Sequence, residues 1–423
     1  MLGLVGGSRP GVRCPLEKSN FVWRSGERVR RSTILVRVRI LFSAIATHGH
    51  CYPLLPLAAA AREAGHEVVV ATGGELRSAV HAAGAEFAEA GVPVFDAFDA
   101  IVARDDLATP DDLPSGQRDR VVRRLFGGVL PRRFVPDVRG ILRSRRFDLV
   151  VYETGNPGAA LAASLEGTPA VCHGFGRELA GVFATALDEP LRELAEELGV
   201  ALPTGVSGAL GNTYLDIFPP SLQDPGVLAL PNRIGIRSVP FAEPGELPGV
   251  VTAKQRDRPL VYLTLGTAFG SAEVLRTTAG ALAEFDVDLL VAAGPRVRAE
   301  DIGELPGHVT VASWFPQAHL IPRLDLVVHH GGAGTTLAAL ASGVPQLFLP
   351  QGADQFDNAA SVVAAGAGSR ILPEDHSGES VAAAVKGLLG DRGTVTAARS
   401  LAAEIAAAPG PSSVVDRLSE MFG

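Results

Sequence analysis

The sequence predicts an α/β protein of two doubly wound domains, each built on a parallel sheet and facing the other across a cleft. Three observations support this prediction. Short apolar runs alternate with helix-forming runs, which is typical of strands buried on both faces. The alternation stops in a proline-rich stretch, residues 219–258, and then resumes. The chain has 423 residues, more than one ordinary hydrophobic core accommodates.

Composition is that of a globular protein and excludes several functions. Hydrophobic residues make up 47% of the chain, charged residues 20%, and the formal net charge is −8. An acidic chain with scattered basic residues argues against nucleic-acid binding. The three cysteines are far apart, so neither a disulfide framework nor a zinc site is predicted. No run reaches the ~18 apolar residues of a membrane span, and we expect a soluble, cytoplasmic protein.

The first domain is assigned to residues 36–235, after an extension at 1–35 that lacks any helical or strand period and is predicted to be disordered. Residues 92–120 are predicted to be a long irregular connection, whose paired aspartates are turn residues rather than metal ligands. The regular elements predicted in this domain are strands at 37–43, 67–72, 147–152 and 169–173 and helices at 53–64, 75–83, up to about 146 and from Pro157.

The second domain is assigned to residues 259–408, after an interdomain linker at 236–258. Asp286 and Asp288 have the spacing that some transferases use for manganese, but they open an apolar strand and fit turn residues better. Residues 409–423 follow the domain, and 411–422 are predicted to form one amphipathic helix. The strands predicted in the domain are 259–265, 287–293, 308–312, 324–329 and 345–349, with helices between them.

The segment His-His-Gly-Gly-Ala-Gly-Thr-Thr at 329–336 lies between an apolar run and a helix-forming run. It therefore predicts a glycine-rich turn from a strand into a helix. Glycine lets a ligand approach the backbone, and the first helical turn offers unpaired N–H groups at the positive end of the dipole, so phosphate is the expected guest. A packing turn without ligand is the alternative. His330 and the hydroxyls of Thr335 and Thr336 favour anion binding.

Further polar residues follow other strands of the second domain. The carboxyl ends of parallel strands share one edge of the sheet, where ligands of such folds bind. A tryptophan beside a glutamine suits a planar base, and an Asp-Gln pair suits sugar hydroxyls. Each is more often structural when it occurs alone, Trp314 above all, because tryptophan is usually a core anchor. The positions are Thr264, Gly266, Thr267, Trp314, Gln317, Asp354 and Gln355.

Several motifs together carry a family resemblance. They are Thr-His-Gly-His-Cys-Tyr-Pro-Leu-Leu-Pro-Leu at 47–57, Asp-Ile-Phe-Pro-Pro-Ser-Leu-Gln at 216–223, Trp-Phe-Pro-Gln at 314–317, the glycine turn, Gly-Val-Pro-Gln at 343–346 and Asp-Gln-Phe-Asp-Asn-Ala at 354–359. From about Val36 to its end, the chain resembles a GT-B glycosyltransferase of family 1. It is most similar to the actinobacterial enzymes that attach deoxysugars to antibiotic aglycones, including those of enediyne pathways.

This resemblance implies a nucleoside diphosphate sugar donor, TDP-linked in this branch, bound to the second domain. A small lipophilic hydroxylated acceptor is then bound to the first domain, transfer inverts the anomeric carbon, and neither a metal nor another cofactor is required. The last helix is expected to cross back onto the first domain, and a homodimer is compatible with the sequence. The donor site would comprise Thr264, Gly266, Thr267, Trp314, Gln317, His330, Gly332, Ala333, Gly334, Thr335, Asp354 and Gln355.

The motif match places the catalytic base of the family at His50. The family often orients this base with an aspartate at the end of a first-domain strand, and here Glu153, one methylene longer, occupies that position. His48 is a competing base because a strand-end loop could present either histidine. Without the rest of the motif, both would be interpreted as turn histidines that bond backbone.

Three rival functions follow from the same pattern. An epimerase of this fold would need carboxylates around the sugar and no acceptor cleft, whereas the long segment 92–146 favours a cleft. A non-catalytic sugar-nucleotide-binding partner of another transferase would not need both His50 and Glu153. A Rossmann oxidoreductase would need Gly-x-Gly-x-x-Gly after an opening strand, with an acid ~20 residues on, and this sequence lacks that pattern.

Overall fold

The computed structural model describes residues 37–104, 115–178, 182–203, 208–266, 271–295 and 297–423. The predicted extension at 1–35, the paired aspartates within 105–112 and the predicted donor residue Thr267 lie outside the described residues.

The first domain is built on a parallel sheet in which seven described strands have the order β3-β2-β1-β4-β5-β6-β7. The strand order reverses between β1 and β4, which pair with each other. Strands β2 and β3 extend the sheet on the β1 side, and β5, β6 and β7 extend it on the β4 side. The loops after β1 and β4 therefore diverge and leave a crevice at the carboxyl edge of the sheet. The strands are β1 (Arg39–Ser43), β2 (Glu67–Thr72), β3 (Glu86–Glu89), β4 (Leu149–Glu153), β5 (Ala170–His173), β6 (Thr213–Asp216) and β7 (Arg233–Gly235).

Helices cover both faces of this sheet, and their apolar residues form two core clusters with the strands, one of which also contains residues of the second domain. One five-residue π-helical segment, Leu125–Val129, interrupts the run between α5 and α6. The helices up to the second domain are α1 (His48–Cys51), α2 (Leu55–Glu63), α3 (Arg77–Ala82), α4 (Val94–Arg104), α5 (Ser115–Arg124), α6 (Leu130–Ser144), α7 (Pro157–Leu165), α8 (Val182–Leu198), α9 (Pro225–Leu228) and α10 (Gly249–Thr252).

The second domain repeats this plan with six described strands in the order β10-β9-β8-β11-β12-β13, again all parallel. Its order reverses between β8 and β11, which places a second crevice after these strands. The predicted fold class is confirmed. The strands are β8 (Leu260–Thr264), β9 (Asp288–Ala292), β10 (Val309–Ala312), β11 (Leu326–His329), β12 (Gln346–Phe348) and β13 (Gly368–Arg370).

Helices of the second domain include α13, which follows β11 directly, and α17, the last element of the chain. Asp286, before β9, pairs with Arg258 at 2.7 Å and is a turn residue. Among the described residues, no helix is long and apolar enough to cross a membrane. The helices are α11 (Ala272–Ala283), α12 (Gln317–Leu320), α13 (Ala333–Ser342), α14 (Gln355–Ala364), α15 (Gly378–Gly390), α16 (Arg392–Ala407) and α17 (Pro411–Phe422).

The prediction of an irregular connection at 92–120 is wrong for most of that segment. Helix α4 and the start of α5 lie in it, and Ala97 and Ile101 of α4 are buried in the first-domain core. The four strands β3, β6, β7 and β13 are additions to the predicted elements. They are three or four residues long, and cross-strand pairing rather than local propensity defines such strands.

Two segments outside the sheets connect the domains. In the linker, Phe241 packs against a core cluster that contains residues of both domains, and Val251 belongs to a second-domain cluster. Helix α17 packs on α2, where the Ser419 hydroxyl lies 3.1 Å from His66 Nε2.

Candidate active site

The first half-site lies at the strand-order reversal of the first sheet. His50 is on α1, shortly after β1, and Glu153 is the last residue of β4. Since β1 and β4 are neighbours, the two side chains meet: His50 Nδ1 is 2.9 Å from Glu153 Oε2. The structure thus brings together the two predicted catalytic residues, which are 103 positions apart in the sequence.

Glu153 is fully buried, with 0% exposure, and would be costly to ionise without partners. Its Oε1 accepts the backbone N–H of Ile45 at 3.2 Å, and its Oε2 accepts that of Gly155 at 2.7 Å. With His50, the carboxylate has three donors, which stabilise its charge. An N–H on Nδ1 directed at Glu153 leaves Nε2 of His50 as the nitrogen able to accept a proton.

Aromatic rings and a glycine confine the His50 imidazole. Phe175 lies 4.1 Å away between ring centroids, and Phe126 lies 6.1 Å away in a stacked orientation. Phe126 belongs to the π-helical segment, a distortion often found at functional sites. A Cβ on Gly155 would lie 3.0 Å from His50 Nδ1, so glycine leaves the room the imidazole needs.

His48, the competing base, is arranged differently. Its ring is exposed and packs edge-on against Tyr52, with 5.0 Å between the centroids. The Tyr52 hydroxyl in turn donates to Glu243 of the linker at 2.8 Å. Of the two histidines, His50 is the one that contacts a buried carboxylate, and this geometry supports it as the base.

The second half-site lies at the strand-order reversal of the second sheet, where β11 leads into α13. Gly332 is the N-cap residue of this helix and has no side chain with which to cap it. The first-turn N–H groups of Ala333, Gly334 and Thr335 therefore lack intrahelical partners. Together with the helix dipole, they form a site suited to an anion.

The threonine hydroxyls of this turn have acceptors within the protein. Thr335 Oγ1 donates to Gln317 Oε1 at 3.1 Å, and Thr336 Oγ1 donates to the carbonyl of Gly332 at 3.0 Å. Both protons are used inside the protein. That these hydroxyls donate to an anion stays a prediction, and the backbone N–H groups and His330 are the other candidate donors.

His330 is buried between two glycines. Burial lowers its pKa to about 4, so the imidazole is neutral near pH 7. Its Nδ1 is buried without a hydrogen-bond partner among the described residues. A Cβ on Gly332 would lie 2.5 Å from Nε2, and one on Gly266 would also overlap the ring. Gly266 itself has a φ of +74° and donates its N–H to Thr264 Oγ1 at 3.1 Å.

Gln317, one of the two predicted base contacts, bonds to this turn, and Trp314 lies three residues before it in the chain. Trp314 is 42% exposed, so it is not a core anchor. Gln317 Nε2 donates to the Tyr262 hydroxyl at 3.1 Å, while its Oε1 holds Thr335. The glutamine therefore links the tryptophan loop to the start of α13.

Asp354 and Gln355, the predicted sugar contacts, lie at the start of α14. Gln355 Oε1 accepts the backbone N–H groups of Gln351 and Gly352 at 2.7 and 3.1 Å, which shapes the loop before the helix. Asp354 Oδ2 accepts Asn358 Nδ2 at 2.8 Å. Burial raises the pKa of Asp354, while the hydrogen bond from Asn358 and the charge of His50 act in the opposite direction.

Sequence reasoning missed three residues of this region. Asn358 joins Asp354 to the carbonyl of Gly331 at 2.9 Å, and its position four residues after Asp354 on a helix could have indicated this. Phe175 follows β5 and could have been found by the same strand-end rule. Phe126 carries no sequence signal; it lies in the π-helical segment, and its ring centroid is 6.1 Å from that of His50.

The buried histidines make the fold sensitive to acid. Burial lowers the pKa of His329 to about 3 and those of His330 and His173 to about 4, from 6.5. Below pH 6.5 the unfolded chain binds these protons first, so each histidine lowers the free energy of unfolding by up to about 1.4 kcal/mol per pH unit. Burial raises the pKa of Glu178 to about 7. The folded chain therefore binds this one proton first, which raises the free energy of unfolding as the pH falls and offsets part of the histidine effect.

We therefore expect the free energy of unfolding, measured by denaturant titration, to fall as the pH drops from 6.5 to about 5. The control is His173→Gln, which removes one titrating group and should make the decline shallower. A free energy of unfolding that stays constant over this range would contradict the expectation.

Two family models match the chain. The N-terminal domain model of the erythromycin biosynthesis protein CIII-like family matches residues 59–266. The C-terminal domain model of the same family matches residues 276–421. The two matches cover the second half-site and Glu153 of the first, whereas His50 lies before the first matched residue.

Named relatives agree with these models. Elloramycin glycosyltransferase ElmGT of Streptomyces olivaceus is 34% identical over 91% of this chain and 98% of its own length. The glycosyltransferase SsfS6 of Streptomyces sp. SF2575, solved with thymidine diphosphate, has a TM-score of 0.74 at 28% identity, over 91% of this chain and 100% of that one. Spinosyn rhamnosyltransferase SpnG, solved with spinosyn aglycone, has a TM-score of 0.73 at 28% identity, over 90% of this chain and 99% of that one. The chain therefore belongs to the erythromycin biosynthesis protein CIII-like family of GT-B glycosyltransferases from antibiotic pathways.

Proposed function

We propose that this glycosyltransferase moves a deoxysugar from a TDP-sugar to a hydroxyl of a lipophilic natural-product aglycone, with inversion and without a metal ion. The proposal rests on one observation: each of the two domains contributes a half-site with a complementary chemical role. A histidine held by a buried carboxylate lies at one strand-order reversal, and an uncapped helix start beside a buried histidine lies at the other. Cytoplasmic location and a homodimer stay predictions.

The proposed reaction is a single displacement. His50 Nε2 takes the proton of the acceptor hydroxyl as the oxygen attacks the anomeric carbon. Glu153 keeps the imidazole oriented through Nδ1 and stabilises the positive charge that the histidine gains. The bond between the anomeric carbon and the diphosphate oxygen breaks on the opposite face, which inverts the configuration at that carbon.

Charge on the departing diphosphate would be stabilised by groups of the second domain. The first-turn N–H groups of α13 and the helix dipole suit phosphate oxygens. The unpartnered Nδ1 of His330 is a buried polar atom that a phosphate oxygen would satisfy. In this proposal these neutral donors take the role that a metal fills in other transferases, and Asp354 and Gln355 border the sugar.

Two observations support a lipophilic acceptor. Phe126 and Phe175 flank His50, so the surroundings of the base are apolar and aromatic. The solved relative SpnG was crystallised with spinosyn aglycone, and SsfS6 with thymidine diphosphate. The TDP-sugar donor and the lipophilic acceptor are assigned to this chain by similarity to these relatives, and both assignments are part of the proposal.

A non-catalytic sugar-nucleotide-binding partner and a nucleotide-sugar epimerase are the alternatives. The contact between His50 and Glu153 favours a catalyst that deprotonates an acceptor, because neither alternative needs that pair.

The deciding experiment is mass spectrometry of the full chain with TDP- and UDP-sugars and a panel of lipophilic hydroxylated acceptors. We expect a glycoside product with TDP-sugars, an inverted anomeric configuration by NMR, and turnover that EDTA does not reduce. Epimerised donor without acceptor would support the epimerase. Donor binding without any product would support the silent partner.

The partnership of Glu153 with His50 can be tested separately. Glu153→Gln should lower kcat by roughly 10-fold or more, though less than His50→Ala, because an amide stabilises the imidazolium less well. If the carboxylate works only through the histidine, the double variant should resemble His50→Ala alone. Losses that add fully in the double variant would show that Glu153 acts independently.

A further inference from the structure

A short loop after β5, residues 174–178, touches both half-sites. Phe175 packs on the His50 imidazole, with 4.1 Å between the ring centroids. The next residue, Gly176, lies against Ala333, the first residue of α13. One five-residue stretch of the first domain therefore contacts the proposed base and the helix start that would hold the diphosphate.

The contact between Gly176 and Ala333 leaves no room for a side chain. A Cβ added to Gly176 would lie 2.5 Å from the Cβ of Ala333, closer than carbon atoms approach in proteins. The next nearest atom is the Cα of Ala333 at 3.8 Å, an ordinary contact. Gly176 is not among the glycines with positive φ, so its missing side chain rather than its backbone conformation is what the site requires.

Both sides of this contact are anchored. In the loop, Gly174 donates its N–H to the carbonyl of Leu215 at 2.9 Å, and Arg177 Nε donates to the carbonyl of Leu222 at 2.9 Å. On the other side, Ala333 opens a ten-residue helix whose residues are mostly buried. Neither the loop nor the helix can move aside without breaking packing or hydrogen bonds.

We propose that Gly176 and Ala333 form a domain-closure contact that sets the distance between His50 and the bound donor. The proposal rests on the proposed function and adds two positioning residues to it. Any side chain at 176 would hold the domains apart at this point. Rates of positioned reactions fall steeply when the reacting groups are displaced by about 1 Å, so a small opening should slow transfer.

The test is Gly176→Ala in the full chain. We expect kcat to fall by about 10–100-fold, because base and donor no longer meet in the productive geometry. The Kd for TDP, measured by calorimetry, should change by less than about 2-fold, since the turn at 331–335 lies wholly in the second domain. The opened cleft should also admit water, so hydrolysis of the donor should rise relative to transfer.

A second substitution, Ala333→Gly, distinguishes an effect on domain closure from a general loss of stability. In an Ala333→Gly background, the new methyl at 176 faces a Cα at 3.8 Å, so Gly176→Ala should there cost less than about 3-fold in kcat. The matched control is Gly387→Ala in α15, where an added Cβ meets nothing within 4 Å and kcat should not change.

A crystal structure of the Gly176→Ala protein with TDP gives a readout that does not depend on turnover. We expect His50 to lie farther from Asp354 and α13 than in the parent protein. Three outcomes would overturn the proposal: unchanged kcat in Gly176→Ala, an equal loss in both backgrounds, or a crystal structure in which only the loop moves. Absence of transfer by the parent protein would instead refute the proposed function, while the crystal structures would still decide on closure.

Discussion

Replacing His50 with alanine should lower kcat by about 10²–10⁴-fold and leave the Kd for TDP within about 2-fold of the parent value. The loss is large because the variant has no group at this position that accepts the proton of the attacking hydroxyl. Donor affinity is spared because His50 belongs to the first domain, whereas the helix start that would hold the diphosphate belongs to the second. Steady-state kinetics and calorimetry on the same preparation measure both quantities.

His48→Ala is the matched control for this prediction. It removes the same side chain two residues away, from a position that contacts Tyr52 rather than Glu153. We expect it to reduce kcat far less than His50→Ala does. The assignment of the base is wrong if His48→Ala abolishes turnover and His50→Ala spares it.

The His330→Ala variant should bind TDP more weakly by about 1.5–3 kcal/mol, which corresponds to roughly 10–150-fold in Kd. The variant lacks a neutral N–H donor to a charged phosphate oxygen. That contact stabilises the bound donor and, more strongly, the diphosphate as charge builds up on it during departure. Turnover should therefore also slow. Calorimetric titration with TDP measures the first effect, and kcat with saturating donor measures the second.

His330→Asn and His81→Ala are the controls for this result. Asparagine keeps an N–H donor and should retain part of the affinity. His81 is exposed on α3 in the first domain, and its removal should leave TDP binding unchanged. Unaltered TDP affinity in His330→Ala would mean that the glycine turn is a packing device rather than an anion site.

Local sequence patterns were sufficient for the backbone of the site. Apolar runs with flanking glycine and proline predicted the strands on both sides of each strand-order reversal, because these patterns depend on residues within a few positions of each other. The glycine turn into α13 and the final helix at 411–422 were predicted from the same kind of signal. The roles of His50, Glu153 and His330 were then predicted by matching their positions to the motifs of the family.

Tertiary structure decided which partners these residues have. His50 and His48 are equivalent by sequence spacing, and only the pairing of β1 with β4 brings the buried Glu153 to His50. The hydroxyl of Thr335 was expected to meet an anion, yet it donates to Gln317, which lies 18 positions earlier. Helix α4 was missed because its burial depends on the core beneath it.

The contact between Gly176 and Ala333 is the clearest example of a contact that local sequence patterns do not predict. Each residue is unremarkable within its own segment, and their significance arises from two domains meeting at one point. Backbone conformation follows largely from neighbouring residues, whereas side-chain partners across 100 or more positions follow from packing of the whole chain. The sequence alone therefore established the fold class and the strand-end positions of the site, and the folded chain established which side chains meet there.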